Sequence, residues 1–411
     1  MRRTPFVFAF VIAFALVSFA VHAAEPRPHP SRLIRDDVSL REPPRYEEAK
    51  EVTSPEAGVR GIFYEAKPYR GKPTRTFAYL GVPARAAGER VPAMVLIHGG
   101  GGTAFADWVK LWNDRGYAAI AMDTCGAVPV RTADDKGWRR HGAGGPAGWD
   151  ASFGQLDEAV TDQWQYHALA DIVLAHSLIR SLPGVDPDRV GVTGISWGGY
   201  LTCLTVGVDP RFKFAAPVYG CGFIDECVWS PTLERMPAGR RERWLGQWDP
   251  RHYLGAATMP MLWVTGTNDF AYPLPALRKS YELPKGERTL SVTLRMPHGH
   301  PPGQTPEVIR AYADGFFKGG VPLPVVTGRG LDEATRTAWA TVAGQAKVAK
   351  AELLFTGDSG AWQKRAWRAT PAVVGADGRV SAILPEGVTA YYLNVIDERG
   401  LTVSTEHETL P

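Results

Sequence analysis

The sequence predicts an α/β chain in which a mostly parallel, doubly wound sheet is followed by a small β-sandwich, and three observations carry that prediction. Short apolar runs at residues 93–97, 118–122, 190–193, 214–219, 261–265 and 290–296 alternate with helical stretches, as strands buried on both faces of a parallel sheet do. Beyond the link Val321-Pro322-Leu323-Pro324 the rhythm changes to alternating segments around 351–355, 367–374 and 389–395, separated by Gly-Asp and Asp-Gly turns. The 411 residues also exceed what one compact core usually organises, so a large domain with a smaller companion is expected.

Taken in order, Arg2 and Arg3 precede an apolar run over 5–21 that ends in Val21-His22-Ala23-Ala24, the pattern of a secretory signal peptide. Its span is short for a transmembrane helix. Residues 1–24 are therefore expected to be removed, leaving an exported, periplasmic or secreted protein with no membrane partner. Residues 25–57 are rich in Pro, Arg and Glu with little periodicity and read as a surface lead-in that wraps the domain. Two extended segments, 59–66 and 74–82, suit antiparallel strands at a sheet edge. The clearest helix spans 164–182, with Leu169, Ile172, Val173, His176 and Ile179 at helical spacing and a stop at Pro183-Gly184. The catalytic domain would thus cover 58–320 and the sandwich 325–411. Two stretches, 125–163 and 222–254, are far longer than ordinary connections and read as lid or binding insertions above the sheet.

Lys and Arg (46) nearly balance Asp and Glu (43), for a net charge of +3, and no block of like charge occurs, which argues against a nucleic-acid partner. The four cysteines are too few for a disulfide scaffold. Cys221 and Cys227 are the best-placed pair for a single bridge, and Cys203 sits in an apolar segment that suits a buried, inert thiol. Neither a CxxC pair nor an HExxH motif is present, so no metal site and no cofactor are expected.

The strongest chemical signal is Gly194-Ile195-Ser196-Trp197-Gly198, placed after an apolar strand and before a helix of small residues. That is the context in which a G-x-S-x-G turn holds a nucleophilic serine. A serine hydroxyl is a weak nucleophile and needs a base and an orienting carboxylate. Asp269, in Gly266-Thr267-Asn268-Asp269 after the strand at 261–265, is the candidate acid; its competing role is an Asx turn, which Asn268 would serve instead. Met296-Pro297-His298-Gly299-His300 offers two histidines. His298, closer to the strand end, is favoured as base, with His300 as the alternative. The run His98-Gly99-Gly100-Gly101-Gly102 follows the first central strand and suits an oxyanion hole, with N–H donors from Gly100 or Gly101 and from Trp197. A phosphate-binding loop would end in Lys-Ser or Lys-Thr, and this one does not; His98 reads as a structural loop residue.

With these motifs in place, residues 60–320 resemble an α/β-hydrolase of the dienelactone hydrolase, acetylxylan esterase and prolyl oligopeptidase group. The matching features are the 98–102 glycine run, Val185-Asp-Pro-Asp-Arg-Val-Gly-Val-Thr-Gly-Ile-Ser196-Trp-Gly-Gly199, the Asp269 turn and His298. The tail Ala390-Tyr-Tyr-Leu-Asn-Val-Ile-Asp-Glu-Arg-Gly-Leu401 resembles the C-terminal β-domain of PhoPQ-activated pathogenicity-related proteins. The resemblance implies a Ser-His-Asp hydrolase and leaves the substrate open. Dienelactone hydrolases use a cysteine nucleophile where this chain has Ser196, the Arg that follows the serine in glucuronoyl esterases is absent, and a prolyl oligopeptidase carries a propeller ahead of its catalytic domain. An ester hydrolase is what remains. The insertions hold Trp138, Trp149, Trp164, Trp229, Trp244 and Trp248 with Arg139, Arg140, Arg240, Arg241 and Arg243, a set that suits either packing or the binding of sugar rings and aromatic acids. The expected partner is a small-molecule or polysaccharide ester. The competing functions are an exported serine peptidase and a non-catalytic carbohydrate-binding protein on a hydrolase scaffold.

Overall fold

The computed structural model describes residues 28–130, 137–148 and 153–411. The signal-peptide segment and Trp149 lie outside the described residues. The lead-in has more structure than its sequence suggests: helix α1 (Pro30–Arg35), a 3₁₀ turn (Val38–Arg41) and strand β1 (Tyr46–Glu48). β1 pairs antiparallel with β2 (Val59–Tyr69), which pairs antiparallel with β3 (Lys72–Gly81).

The centre of the molecule follows as β4 (Val91–Ile97), α2 (Ala106–Asp114) and β5 (Ala118–Met122), then α3 (Trp164–Ser181), β8 (Val185–Ile195), α4 (Trp197–Thr205) and β9 (Ala215–Val218). Between β5 and α3, the first insertion forms a hairpin of β6 (Ala127–Pro129) and β7 (Trp138–Arg140). The second insertion contributes α5 (Ser230–Glu234) and α6 (Ala238–Trp248). β10 (Met261–Gly266), α7 (Leu274–Tyr281), β11 (Arg288–Thr293), α8 (His300–Gln304) and α9 (Glu307–Phe317) complete the domain.

These strands form one nine-stranded sheet in the order β1-β2-β3-β5-β4-β8-β9-β10-β11, antiparallel up to β5 and parallel from there on. The connection β4-α2-β5 steps one way across the sheet and β5-α3-β8 steps back past β4. Right-handed crossovers in opposite directions place α2 and α3 on opposite faces, which is why every residue of β4 and β5 is buried. α3 is buried continuously from Trp164 to Ile179, not along one stripe, because the lead-in covers the side that the sheet does not; Ser177 Oγ donates to Leu40 O at 2.7 Å.

The C-terminal domain is antiparallel throughout. β12 (Val325–Asp332), β13 (Thr337–Ala343), β14 (Val348–Thr356), β15 (Arg368–Val374), β16 (Arg379–Ile383), β17 (Ala390–Asp397) and β18 (Thr402–Ser404) run in the order β12-β13-β16-β15-β14-β17-β18, and the short β19 (Glu408–Thr409) adds to β17. Where the sequence suggests a sandwich of two sheets, a single hydrogen-bonded path folds over on itself, and Ala340, Leu353, Val380 and Leu393 from its two halves share one core. The opposite face of β14, β17 and β18 joins the core of the larger domain through Leu354, Tyr392 and Val403. This contact falls on β11, the last strand of the large sheet. Val292 N–H donates to Ser404 Oγ at 2.8 Å, and Val292 O accepts from Asn394 Nδ2 at 3.1 Å and Tyr392 OH at 3.3 Å.

Candidate active site

Ser196 stands between β8 and α4 with φ 58° and ψ −118°, a left-handed conformation that a side-chain-bearing residue adopts only when its surroundings enforce it. The enforcement is steric. A Cβ on Gly198 would lie 2.0 Å from Ile97 O, and one on Gly194 would lie 2.1 Å from Gly198 O, so the flanking positions admit no side chain while the turn keeps this shape. Ser196 N–H bonds to Val218 O at 3.0 Å, tying the turn to the neighbouring strand.

Two loops at the carboxyl ends of β10 and β11 complete the constellation, where ligands are expected on an open α/β sheet. His298 Nε2 lies 2.8 Å from Ser196 Oγ, and His298 Nδ1 lies 2.7 Å from Asp269 Oδ2. A carboxylate only accepts, so Nδ1 carries the proton and Nε2 is left to accept from the serine hydroxyl. Asp269 is 2% exposed, and its other oxygen accepts from the N–H groups of Ala271 (2.9 Å) and Tyr272 (2.8 Å), which fixes the carboxylate's direction. Tyr219 stacks on the His298 ring at 4.3 Å, hydrogen-bonds through its hydroxyl to Gly299 O, and has its phenol pKa raised by burial. Phe270 flanks the same imidazole at 4.5 Å. Neither Tyr219 nor Phe270 is signalled by any motif; both follow strand ends or turns whose roles appear only in three dimensions.

Of the two histidines in the 296–300 loop, His298 makes both contacts. His300 instead lies flat on Phe105 at 3.5 Å and edge-on to Trp108 at 5.0 Å, with its pKa lowered to about 4 by burial. His98 is buried in the loop that it heads: Nδ1 bonds to Gly99 O at 2.7 Å and Nε2 accepts from Thr124 N–H at 2.9 Å, and burial lowers its pKa. Its contacts are those of a loop anchor.

The glycine run lies against the serine. A Cβ on Gly99 would come within 2.9 Å of Ile195 O and 3.2 Å of Ser196 Cβ, making Gly99 the glycine of the run nearest the serine, while a Cβ on Gly100 would sit 2.5 Å from Trp197 Cδ1. Gly101 has φ +74°, and its carbonyl accepts from Trp138 Nε1 at 3.1 Å. Trp197 opens α4, so its N–H has no acceptor inside the helix. Residues 99–102, Phe105, Ile195, Ser196, His298, Gly299 and His300 line a cavity of about 250 Å³.

The insertions divide by role. Trp244 and Trp248 are fully buried, Trp164 is nearly so, and indole hydrogen bonds from Trp164 to Thr124 O and from Trp248 to Gln163 are packing contacts. Arg240 and Arg243 both pair with Asp157, joining the second insertion to the first. Trp229 remains half-buried against Trp197 (4.4 Å) and Tyr272 (5.1 Å). All four cysteines are free and buried. Cys221 and Cys227 are neighbours around the Gly222 carbonyl but are not bridged, and burial drives the Cys203 thiol well above its ordinary pKa.

Residues 48–245 match the family model of acetyl xylan esterase (AXE1). Among solved structures, an acetyl xylan esterase from Paenibacillus sp. R4 superposes with a TM-score of 0.55 at 19% identity, covering 69% of this chain and 93% of that one. Acetyl xylan esterase 1 from Thermoanaerobacterium sp. JW/SL YS485 gives a TM-score of 0.50 at 19% identity over 66% of this chain and 88% of that one. Dipeptidyl-peptidase 5 of Porphyromonas gingivalis is 26% identical over 168 residues, 39% of this chain, and the match spans only 20% of that peptidase. With the elbow, the sheet order and the structural likeness together, the chain has the α/β-hydrolase fold, and its residues 48–245 are similar to the acetyl xylan esterase family.

Proposed function

We propose that this protein is an exported ester hydrolase that works through Ser196, His298 and Asp269 and removes acyl groups from carbohydrate. The observation that carries the reading is the unbroken hydrogen-bonded chain from Ser196 Oγ through both nitrogens of His298 to Asp269 Oδ2. Ser196 Oγ attacks the ester carbonyl carbon as its proton passes to His298 Nε2. The oxyanion is met by N–H groups of Gly100 or Gly101 and of Trp197, a kind of donor typically worth about 3 kcal/mol each. Collapse expels the alcohol, which takes the proton from His298, and leaves an acyl-serine. Water then attacks the acyl carbon, gives its proton to His298, and the acid departs as Ser196 regains its hydrogen.

The cavity beside Ser196 suits a short acyl chain. Phe270, 55% exposed next to His298, and Trp138 beside Gly101 offer aromatic faces on which a sugar ring can stack. A peptidase reading draws on the partial likeness to dipeptidyl-peptidase 5. Turnover of short-chain nitrophenyl esters beside aminoacyl anilides decides between them: faster ester hydrolysis supports the proposal, and anilide preference replaces it with the peptidase. Failure of a fluorophosphonate to label Ser196 would remove both and restore a binding role.

A further inference from the structure

The acid loop and the base loop are held within their own domain, by Thr267 N–H to Thr293 O at 3.1 Å, Val228 N–H to Ala271 O at 3.0 Å and Gly299 N–H to the Tyr219 hydroxyl at 3.3 Å, and both are in addition attached to the C-terminal domain. Asn268, adjacent to Asp269, donates through Nδ2 to two main-chain carbonyls of that domain, Arg365 O at 2.8 Å and Gln363 O at 3.1 Å. Its Oδ1 accepts from Thr267 Oγ1 at 2.8 Å, and Thr267 Oγ1 in turn accepts from Arg295 N–H at 3.0 Å, so the two loops are linked to each other. Arg295 then returns to the second domain, donating through Nη2 to Trp367 O at 2.8 Å. The acid loop needs none of this to make its own turn, because Asp269 Oδ1 already holds Ala271 and Tyr272.

The segment that supplies these carbonyls is itself braced. Asp358 Oδ2 accepts from Ala366 N–H at 2.6 Å, Thr389 Oγ1 donates to Asp358 O at 2.7 Å, and Trp367 is fully buried against Tyr392. Arg295 also sits at φ 50°, a conformation that a non-glycine residue keeps only under external restraint.

We propose that the C-terminal domain is a working part of the active site, with Asn268 and Arg295 as positioning residues that register the Asp269 and His298 loops against the rigid 358–367 segment. The inference rests on the ester-hydrolase reading. Its physical basis is that a base must stay within hydrogen-bond reach of the serine while aligned to its carboxylate, and a displacement of about 1 Å is enough to cost roughly 100-fold in rate. The outermost strand of the sheet and the loop beyond it are where a single domain is least able to supply that rigidity.

The test uses the full chain and short-chain nitrophenyl esters, with active sites counted by fluorophosphonate titration. Asn268→Ala and Arg295→Ala are each expected to lower kcat per active site by about 10- to 100-fold with KM changed by less than about twofold. Arg295→Lys keeps a donor for Trp367 O and should recover most of the loss. Asp358→Ala, which touches neither loop, should lower kcat in the same manner but by less, through the slackened 358–367 segment. Unchanged kcat per active site in Asn268→Ala and Arg295→Ala, whatever happens to thermal stability, overturns the proposal, as does failure of Arg295→Lys to exceed Arg295→Ala. Ser196→Ala serves as the control: if it retains turnover, the serine-hydrolase reading fails; if it is inactive while the loop variants turn over normally, only the positioning role does.

Discussion

The two halves of the candidate site are held in different ways. The Ser196 half is locked by backbone packed on backbone within the large domain, where Gly194, Gly198 and Gly220 let β8, α4, β4 and β9 approach to distances that no side chain tolerates. The half that carries Asp269 and His298 is held by hydrogen bonds, some within its own domain, such as Gly299 N–H to the Tyr219 hydroxyl, and some from loop side chains to a second domain. Steric locking is stiff and local, and it fails completely when broken. Hydrogen-bonded registration is softer and spreads over several contacts, so it weakens by degrees.

Breaking the chemistry shared by both halves should give the largest effect. Ser196→Ala and His298→Ala are each expected to lower ester turnover by roughly 10⁴- to 10⁶-fold while the protein stays folded, because residues acting as one unit fail together. Residual activity within tenfold of wild type for either variant, read by nitrophenyl ester assay and circular dichroism, would remove that residue from the unit.

A methyl group at Gly198 sharpens the contrast. Its Cβ would meet two main-chain carbonyls, those of Ile97 and His98, which cannot swing aside as a side chain can. Gly198→Ala should therefore destabilise by about 3 kcal/mol or more, seen as a large drop in the thermal midpoint or loss of soluble protein. A midpoint within two degrees of wild type would show that the elbow is more pliant than its geometry implies.

Acid should weaken the fold around both halves. Burial lowers the pKa of His167 and His300 to about 4, and burial together with Arg278, Arg329 and Arg365 lowers that of His407 to about 3. In the unfolded chain these imidazoles return to about 6.5, so below that pH the unfolded state takes up protons that the folded state refuses. Their stabilisation is present above pH 6.5 and is lost as the pH falls toward 4, or toward 3 for His407, by roughly 3 to 5 kcal/mol per group. Thermal midpoints should fall between pH 7.5 and pH 5, and His407→Phe, which keeps a ring beside Trp362, should flatten that slope. Equal midpoints at the two pH values would contradict the burial argument.

The smallest expected effect concerns the second histidine. His300→Ala removes a ring stacked on Phe105 at the cavity wall and should change turnover less than tenfold, mainly through KM. A loss equal to that of His298→Ala would move the base two residues along.

This contrast also explains what the sequence makes legible. The elbow is a local object: five residues between a strand and a helix determine it, so Ser196 and its glycines are readable without a structure. The choice between His298 and His300 depends on how a short loop turns its rings, and their spacing carries no information about that. Asn268 is visible only as a possible turn former, since its partners are main-chain carbonyls of residues 363 and 365 and any sequence there would supply them. β1 was equally hidden, because three exposed residues on a sheet margin leave no hydrophobic pattern. The strands of the C-terminal domain show themselves by alternation. Their closure into one folded path does not, because pairing order is a long-range property.

The way β11 ends the large sheet has a consequence for the protein in concentrated solution. An unpaired outer strand is a template on which another molecule's strand can lay itself, and self-association through such margins is a common route to fibres and precipitates. Here Ser404, Tyr392 and Asn394 occupy the outward N–H and C=O of Val292 with side chains instead of a further strand, so the ladder is terminated and cannot be extended at that point. The small domain thus also acts as a stopper at this margin of the sheet.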